Sequence, residues 1–355
     1  MVTKVRVTLA IPVEAELQER IRGVDTRLEV WALTQAQRRQ YRGGRPLWAG
    51  YGEGAGPADE GEEEARRNLD AILAQTEVIL SNPVVPDDIV ARAPQLRWLQ
   101  LTSAGVDRLL DAPLLKSGVT VTTASGIHAV PISEYVIGAM IAFAKGFPSA
   151  LKAQAQRLWR PYWPDELERR TAGVIGLGAI GARVAHLAHH LGMRVLAVRR
   201  SAQTRSAGRD LGLAYVDEIL PPVDLPYLLS ESDYVVVAVP LTPESRGLIG
   251  EAELRTMKRT AVVINIARGA VIDEPALVKA LKEGWIAGAA LDVFAVEPLP
   301  ADSELWEMAN VMITPHISGG TPRYMERAVE LFCDNLRRYL AGQPLRNVVD
   351  PTRGY

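Results

Sequence analysis

Short apolar runs alternate with amphipathic stretches along most of this chain. Runs at 5–11, 28–33, 78–80, 96–101 and 119–123 have strand length and composition, with helix-like stretches between several of them. A second array begins at Thr171, with runs at 172–175, 194–198, 234–239, 261–266, 287–291 and 311–314. Apolar strands that take turns with helical segments predict parallel sheets with crossover helices, the α/β class. Between the arrays, residues 132–147 read as one long apolar helix, with Ser133 and Glu134 in its first turn, where an acidic group suits the helix dipole. The following Trp159-Arg160-Pro161-Tyr162-Trp163-Pro164 carries two prolines and reads as a loop. Residues 323–339 predict an amphipathic terminal helix. There is no internal repeat of solenoid period.

One piece interrupts the first array. Residues 43–61 are rich in glycine and lead into an acidic run, 60–64, which reads as a surface insertion. The 355 residues suffice for two ordinary domains, and a net charge of −2 is unlike the basic field of a nucleic-acid binder. No apolar run reaches the ~20 residues of a membrane span, and the first residues show no signal-peptide pattern. The single cysteine, Cys333, excludes an internal disulfide, reads as a small helix residue, and fits a reducing compartment. The expectation is a cytoplasmic protein without nucleic-acid or membrane partners.

The segment from Thr171 is a strand running into G-x-G-x-x-G: Gly176, Gly178 and Gly181, with Leu177, Ala179 and Ile180 between them. The first glycine permits a tight turn, the second lets backbone approach a pyrophosphate, and the third lets helix and strand pack closely. The helix that follows offers its first N–H groups to the anion. A second strand, 194–198, comes at the right distance, so the pattern predicts a dinucleotide site on a Rossmann domain. Such a strand normally ends in an acidic residue for the ribose 2′-OH. Here it ends in Arg199-Arg200-Ser201. Guanidinium binds a 2′-phosphate that a carboxylate would repel, so NADP is expected in preference to NAD. His186, His189 and His190 lie on the helix after the fingerprint, and without an acidic or thiol ligand nearby they read as solvated rather than as a metal site.

Three further residues each follow a strand of the second array: Arg268, Glu297 and His316. In open α/β sheets ligands bind outside the carboxyl ends of strands. The three types suit reduction of a 2-keto acid. Arg matches a carboxylate bidentately. The carbonyl oxygen gains charge as hydride reaches C2, and His can supply the proton near neutral pH. A partner carboxylate favours the imidazolium.

With these motifs in place, the chain resembles the D-isomer-specific 2-hydroxyacid dehydrogenases, a family that includes glyoxylate/hydroxypyruvate reductases and phosphoglycerate dehydrogenases. The likeness is dense from Gly173 to Gly319. It rests on the fingerprint, Val239-Pro-Leu-Thr-Pro, Asn265-Ile-Ala-Arg-Gly269, Gly288-Ala-Ala-Leu-Asp-Val-Phe294, Glu297-Pro-Leu-Pro300 and Thr314-Pro-His316. It is thinner earlier, through Leu101-Thr-Ser-Ala-Gly-Val-Asp107 and Ser133-Glu-Tyr-Val136. The resemblance implies that Arg268 holds the substrate, that His316 is the acid/base, and that Glu297 orients it. The N–H groups of Ala104 and Gly105 would grip the substrate carboxylate from the other domain. Asp292 would bind the nicotinamide carboxamide, and Pro240 and Ile266 would join Gly176, Gly178, Ala179, Ile180, Gly181, Arg199, Arg200 and Ser201 around the cofactor. The implied architecture is a Rossmann domain at 126–317 and a smaller flavodoxin-like substrate domain, discontinuous, at 1–125 and 318–355, with a cleft between them. The long helix from Ile132 would build a homodimer. Within the family's glyoxylate/hydroxypyruvate branch an aromatic of the 159–163 segment crosses to the partner's site, which points to Trp163. The expected activity is hydride transfer between NADP, or NAD, and a small 2-keto/2-hydroxy acid, with no metal. The alternative is a non-catalytic, corepressor-like nucleotide sensor on the same fold.

Overall fold

The computed structural model describes residues 4–45, 61–106, 109 and 111–350. The interior of the glycine-rich insertion and Asp107 lie outside them. The chain divides into two compact units, Met1–Ile127 with Thr321–Tyr355, and His128–Gly320. Each is built on one parallel sheet.

The first unit contributes β1 (Val5–Leu9), α1 (Ala15–Arg22), β2 (Leu28–Ala32), α2 (Gln35–Tyr41), α3 (Glu62–Leu73), β3 (Val78–Ser81), α4 (Ile89–Arg92), β4 (Trp98–Leu101) and β5 (Thr120–Thr122). The strands lie in the order β2-β1-β3-β4-β5, the flavodoxin-like sequence. The start of α2 is fixed by a capping box, in which the Thr34 hydroxyl accepts from Gln37 N–H while the Gln37 side chain accepts from Thr34 N–H. The acidic run expected to close the insertion instead forms the first turn of α3, where Glu62, Glu63 and Glu64 oppose the helix dipole.

The second unit holds α5 (Ala129–Ala144), α6 (Phe147–Ala155), β6 (Thr171–Ile175), α7 (Ala179–His190), β7 (Arg194–Val198), β8 (Glu218–Leu220), α8 (Leu225–Glu231), β9 (Tyr234–Val237), α9 (Glu251–Thr256), β10 (Val262–Asn265), α10 (Glu274–Lys282), β11 (Gly288–Leu291) and β12 (Val311–Ile313). The order is β12-β11-β10-β9-β6-β7-β8. The chain runs outward from β6 to β8 and then crosses back to β9, which makes the β6/β9 boundary a topological switch point. Strand residues alternate between two buried faces. Val174, Val195 and Ile264 pack under Val136, Met140, Val184 and Ala188. Ile175, Leu196 and Val263 pack under Leu228, Leu254, Leu277 and Leu281.

Helix α11 (Tyr324–Leu340) returns to the first unit, where Val329, Phe332 and Leu336 bury against Val7, Leu80 and Trp98. Cys333 is buried on this helix, which pushes its thiol up.

One expectation needs correcting, and one strand was not foreseen. The long apolar helix is not continuous over 132–147. It begins at Ala129, with Ser133 fully buried in its second turn, and ends at Ala144. Gly146 then adopts φ +67°, and α6 leaves at 66° to α5. A left-handed Gly146 and Pro148 in the first turn of α6 end the helix locally, and the Tyr162 hydroxyl donates to Lys145 O at 2.7 Å with its ring against Gly146. The three-residue strand β8, at the sheet edge beside β7, was too short to give a periodic signal. Among the described residues no single helix is long and apolar enough to cross a membrane.

Candidate active site

The candidate residues of the second unit stand at the carboxyl edge of its sheet, in the order of the strands that carry them. The fingerprint follows β6. Gly176 has φ +101°, and a Cβ there would lie 2.7 Å from Ala238 O; a Cβ on Gly181 would overlap Gly176 O. Both positions therefore exclude a side chain. A Cβ on Gly178, by contrast, would meet nothing within 4 Å. Gly178 and Ala179 are exposed at the N-terminus of the twelve-residue α7, with Ile180 half-buried behind them. The first N–H groups of a helix lack intrahelical acceptors and suit a pyrophosphate.

Arg199, Arg200 and Ser201 are exposed just beyond β7, and Pro240 is exposed beyond β9. Pro240 O accepts from Ser245 Oγ at 2.7 Å, which shapes the turn. Glu244, in this turn, was not part of the sequence reading. Hydrogen bonds from Thr242 and its own backbone, with the charge of Arg200, hold its carboxyl below the usual range. A carboxylate thus neighbours one of the two arginines, a relationship that spacing along the chain does not disclose.

Ile266 is buried after β10 and Arg268 is half-buried two residues on. Asn265 brackets this turn: its amide donates to Arg268 O at 3.2 Å and its carbonyl accepts from Ala267 N–H at 3.1 Å. The Arg268 guanidinium donates from Nη1 to Ala267 O at 2.8 Å. Glu297 and His316 come together from the loops after β11 and β12. His316 Nδ1 lies 2.9 Å from Glu297 Oε2, and Phe294 N–H donates to Oε1 at 3.0 Å. Burial alone would raise the Glu297 carboxyl. The His316 bond, the Phe294 N–H and the charges of His316 and Arg268 outweigh it and hold the group below its ordinary value. With Nδ1–H assigned to the carboxylate, Nε2 is the imidazole nitrogen that exchanges a proton elsewhere. A cation, a carboxylate and an imidazole thus share one electrostatic neighbourhood.

Asp292, at the end of β11, is fully buried. Its carboxylate accepts from Thr314 Oγ1 at 2.6 Å, Ile317 N–H at 2.9 Å and Ser318 N–H at 2.9 Å. The residue expected at the cofactor is therefore also the anchor of the loop that carries His316. Deleting it would orphan two backbone N–H groups, at about 1–3 kcal/mol each. Tyr135 of α5 joins this cluster through Thr314, and sequence reading missed it, although a lone phenol on an apolar helix was a signal. The three helix histidines lie exposed along α7, His190 Nδ1 against His186 O. Ala104 and Gly105 belong to the first unit. They follow β4 in an irregular turn, half-buried, with Ser103 Oγ donating to Gly105 O at 3.1 Å.

Comparison with known proteins places this geometry in context. Residues 137–318 match the family model described as D-isomer specific 2-hydroxyacid dehydrogenase, NAD binding domain. A glyoxylate reductase of Thermofilum pendens is 36% identical over 294 residues, 79% of this chain and 82% of that protein. A D-isomer specific 2-hydroxyacid dehydrogenase from Xanthobacter autotrophicus, solved with NADPH and MES, superposes with a TM-score of 0.77 at 30% identity, covering 99% of this chain and 100% of that one. An NADPH-dependent glyoxylate/hydroxypyruvate reductase from Sinorhizobium meliloti, solved with NADP and sulfate, gives 0.76 at 25% identity, with 99% and 100% covered.

Proposed function

Because the chain belongs to the D-isomer specific 2-hydroxyacid dehydrogenase family, and so is an NAD(P)-dependent enzyme, we propose that it reduces a small 2-keto acid of the glyoxylate or hydroxypyruvate kind, with NADPH as the preferred donor. The observation that carries this reading is the 2.9 Å hydrogen bond between His316 and Glu297, with Arg268 acting on the same carboxylate.

The residues present fit a dinucleotide. Gly181 has no room for a side chain, Gly178 opens onto free space, and the N-terminus of α7 faces it. Gly176, Gly178, Ala179, Ile180 and Gly181 would hold the pyrophosphate, Pro240 and Ile266 would flank it, and Arg199, Arg200 and Ser201 would take the 2′-phosphate. Asp292 is fully buried with three donors from its own loop, so its assignment to the carboxamide rests on the family resemblance alone. The cofactor supplies the hydride.

The chain's own residues do the rest. Arg268 binds the substrate carboxylate through its planar fork. His316 in its imidazolium form donates from Nε2 to the carbonyl oxygen as that oxygen gains charge, and takes the proton back in the oxidative direction. Glu297 holds Nδ1–H, fixes the ring and favours the charged form.

We further propose a homodimer in the cytoplasm. Phe147, Leu151, Leu158, Trp159 and Trp163 are exposed on α6 and the following loop, Trp159 by 95% and Trp163 by 99%, and exposed apolar surface of this extent favours a partner. A panel of 2-keto acids with NADPH and NADH tests the activity. Turnover of a small keto acid, faster with NADPH, is expected. Nucleotide binding without turnover of any keto acid would favour the sensor reading instead.

A further inference from the structure

His316 sits on an arch whose two feet are tied to one carboxylate oxygen. Thr314 Oγ1 donates to Asp292 Oδ1 at 2.6 Å and Ile317 N–H donates to the same atom at 2.9 Å, while Ser318 N–H takes Oδ2 at 2.9 Å. Pro315 and His316 span the gap, with His316 at φ +55° and its N–H on Thr314 O at 3.0 Å. A left-handed residue other than glycine persists only where its surroundings over-determine it. Here the two feet supply that constraint.

A third link comes from a different layer. The Tyr135 hydroxyl, on α5, lies 2.9 Å from Thr314 Oγ1. Its direction follows from valence. A carboxylate can only accept, so the single hydroxyl proton of Thr314 goes to Asp292, and Tyr135 must donate to Thr314. Burial, reinforced by the charge of Asp292, pushes the phenol up to about 12, so it keeps its proton at working pH.

We infer that Tyr135 is a positioning residue for His316, acting through Thr314 and Asp292 to hold the imidazole in line with Glu297. The inference rests on the acid/base reading of His316. Among the described residues, the charged or titratable groups around the arch include Glu297 on the loop after β11, Asp292 at the end of β11, Tyr135 from α5, His128 beside Gly319, and Arg268 after β10, whose charge reaches Glu297. Replacing Tyr135 by Phe alters no charge among them. Any change in how His316 titrates then reports the geometry of the Nδ1 to Glu297 bond. A slack arch weakens that bond, disfavours the imidazolium, and moves the titration to lower pH.

The test uses Tyr135→Phe, Thr314→Val and Thr314→Ser in the full chain, with the histidine signals followed by NMR against pH. The chain has five histidines, and His316→Asn assigns the relevant one. In Tyr135→Phe the His316 midpoint should fall, because the imidazolium gains most from a well-aligned Glu297 bond. Thr314→Val should lower it further, and Thr314→Ser, which keeps the hydroxyl, should restore it. In turnover, Tyr135→Phe should lose about fivefold in kcat with KM for the keto acid unchanged, since Arg268 lies outside the relay. An unshifted His316 midpoint in Tyr135→Phe, even with a lower melting temperature, overturns the inference. So does a Thr314→Ser midpoint as low as that of Thr314→Val. The NMR arm needs no substrate, so it decides the relay even if the wild-type protein reduces no keto acid, an outcome that would instead sink the functional reading.

Discussion

His316 Nδ1 and Glu297 Oε2 are 2.9 Å apart, although nineteen residues separate them along the chain. The pair sets a pH window. In the proposed mechanism reduction needs the imidazolium, so activity should decline on the alkaline side. Glu297→Gln removes the charge that favours the imidazolium and should move this limb to lower pH, with KM little changed. A limb at its wild-type position would mean that the two side chains do not act together.

The same pair bears on stability in acid. The Glu297 carboxyl is held below its ordinary value in the folded chain. Its contribution is therefore complete above the unfolded glutamate value of about 4.3, and is lost as pH falls through the lower folded value. Acid unfolding of Glu297→Gln should lack this component, so its stability should fall less steeply below about pH 4 than that of the wild type.

His316→Asn should lower turnover by ~10²–10⁴-fold, the worth of a positioned proton donor. Cofactor affinity, measured by fluorescence titration, should hold, because the fingerprint groups are separate. Near-wild-type kcat would remove His316 from the chemistry.

Arg268→Lys keeps the charge but loses the planar fork. KM for the keto acid should rise and kcat should fall. If steady-state kinetics leave both unchanged, Arg268 does not hold the substrate.

Arg199→Asp combined with Arg200→Ala should reverse a preference for NADPH, and the effect should appear in the cofactor KM, since the 2′-phosphate is remote from the reacting carbon. Glu244 neighbours Arg200, so Glu244→Gln should strengthen NADPH binding modestly. A wild-type enzyme that prefers NADH would refute the reading of this strand end.

Trp163 is 99% exposed, while Tyr162 beside it is tied to Lys145. Tyr162 packs the loop down, and in the proposed homodimer the exposed Trp163 would reach the partner subunit's active-site mouth. Trp163→Ala should broaden the accepted keto acids and raise KM for small ones while the dimer persists. In a mixed dimer of Trp163→Ala and His316→Asn chains, the working His316 site belongs to the Trp163→Ala chain and receives the partner's intact tryptophan. It should behave like wild type; a broadened profile there would mean that the tryptophan serves its own subunit.

The sequence by itself determined the local features. Strand runs and glycine spacing depend on neighbours a few residues apart, so the two strand arrays, the fingerprint and the residue types Arg268, Glu297 and His316 could be read directly. Helix α11 was legible for the same reason, its apolar stripe recurring within a few turns. What the tertiary structure decided were relationships between distant segments. The 159–163 loop is tied to the end of α5 by the Tyr162 hydroxyl on Lys145 O. The strand order sets β10, β11 and β12 side by side and so brings Glu297 to His316. The carboxylate of Asp292 anchors the His316 arch, with Tyr135 joined to it from a helix 179 residues before Thr314. No periodicity carries such information, because a hydrogen bond between side chains forms only where packing and register bring donor and acceptor within about 3 Å.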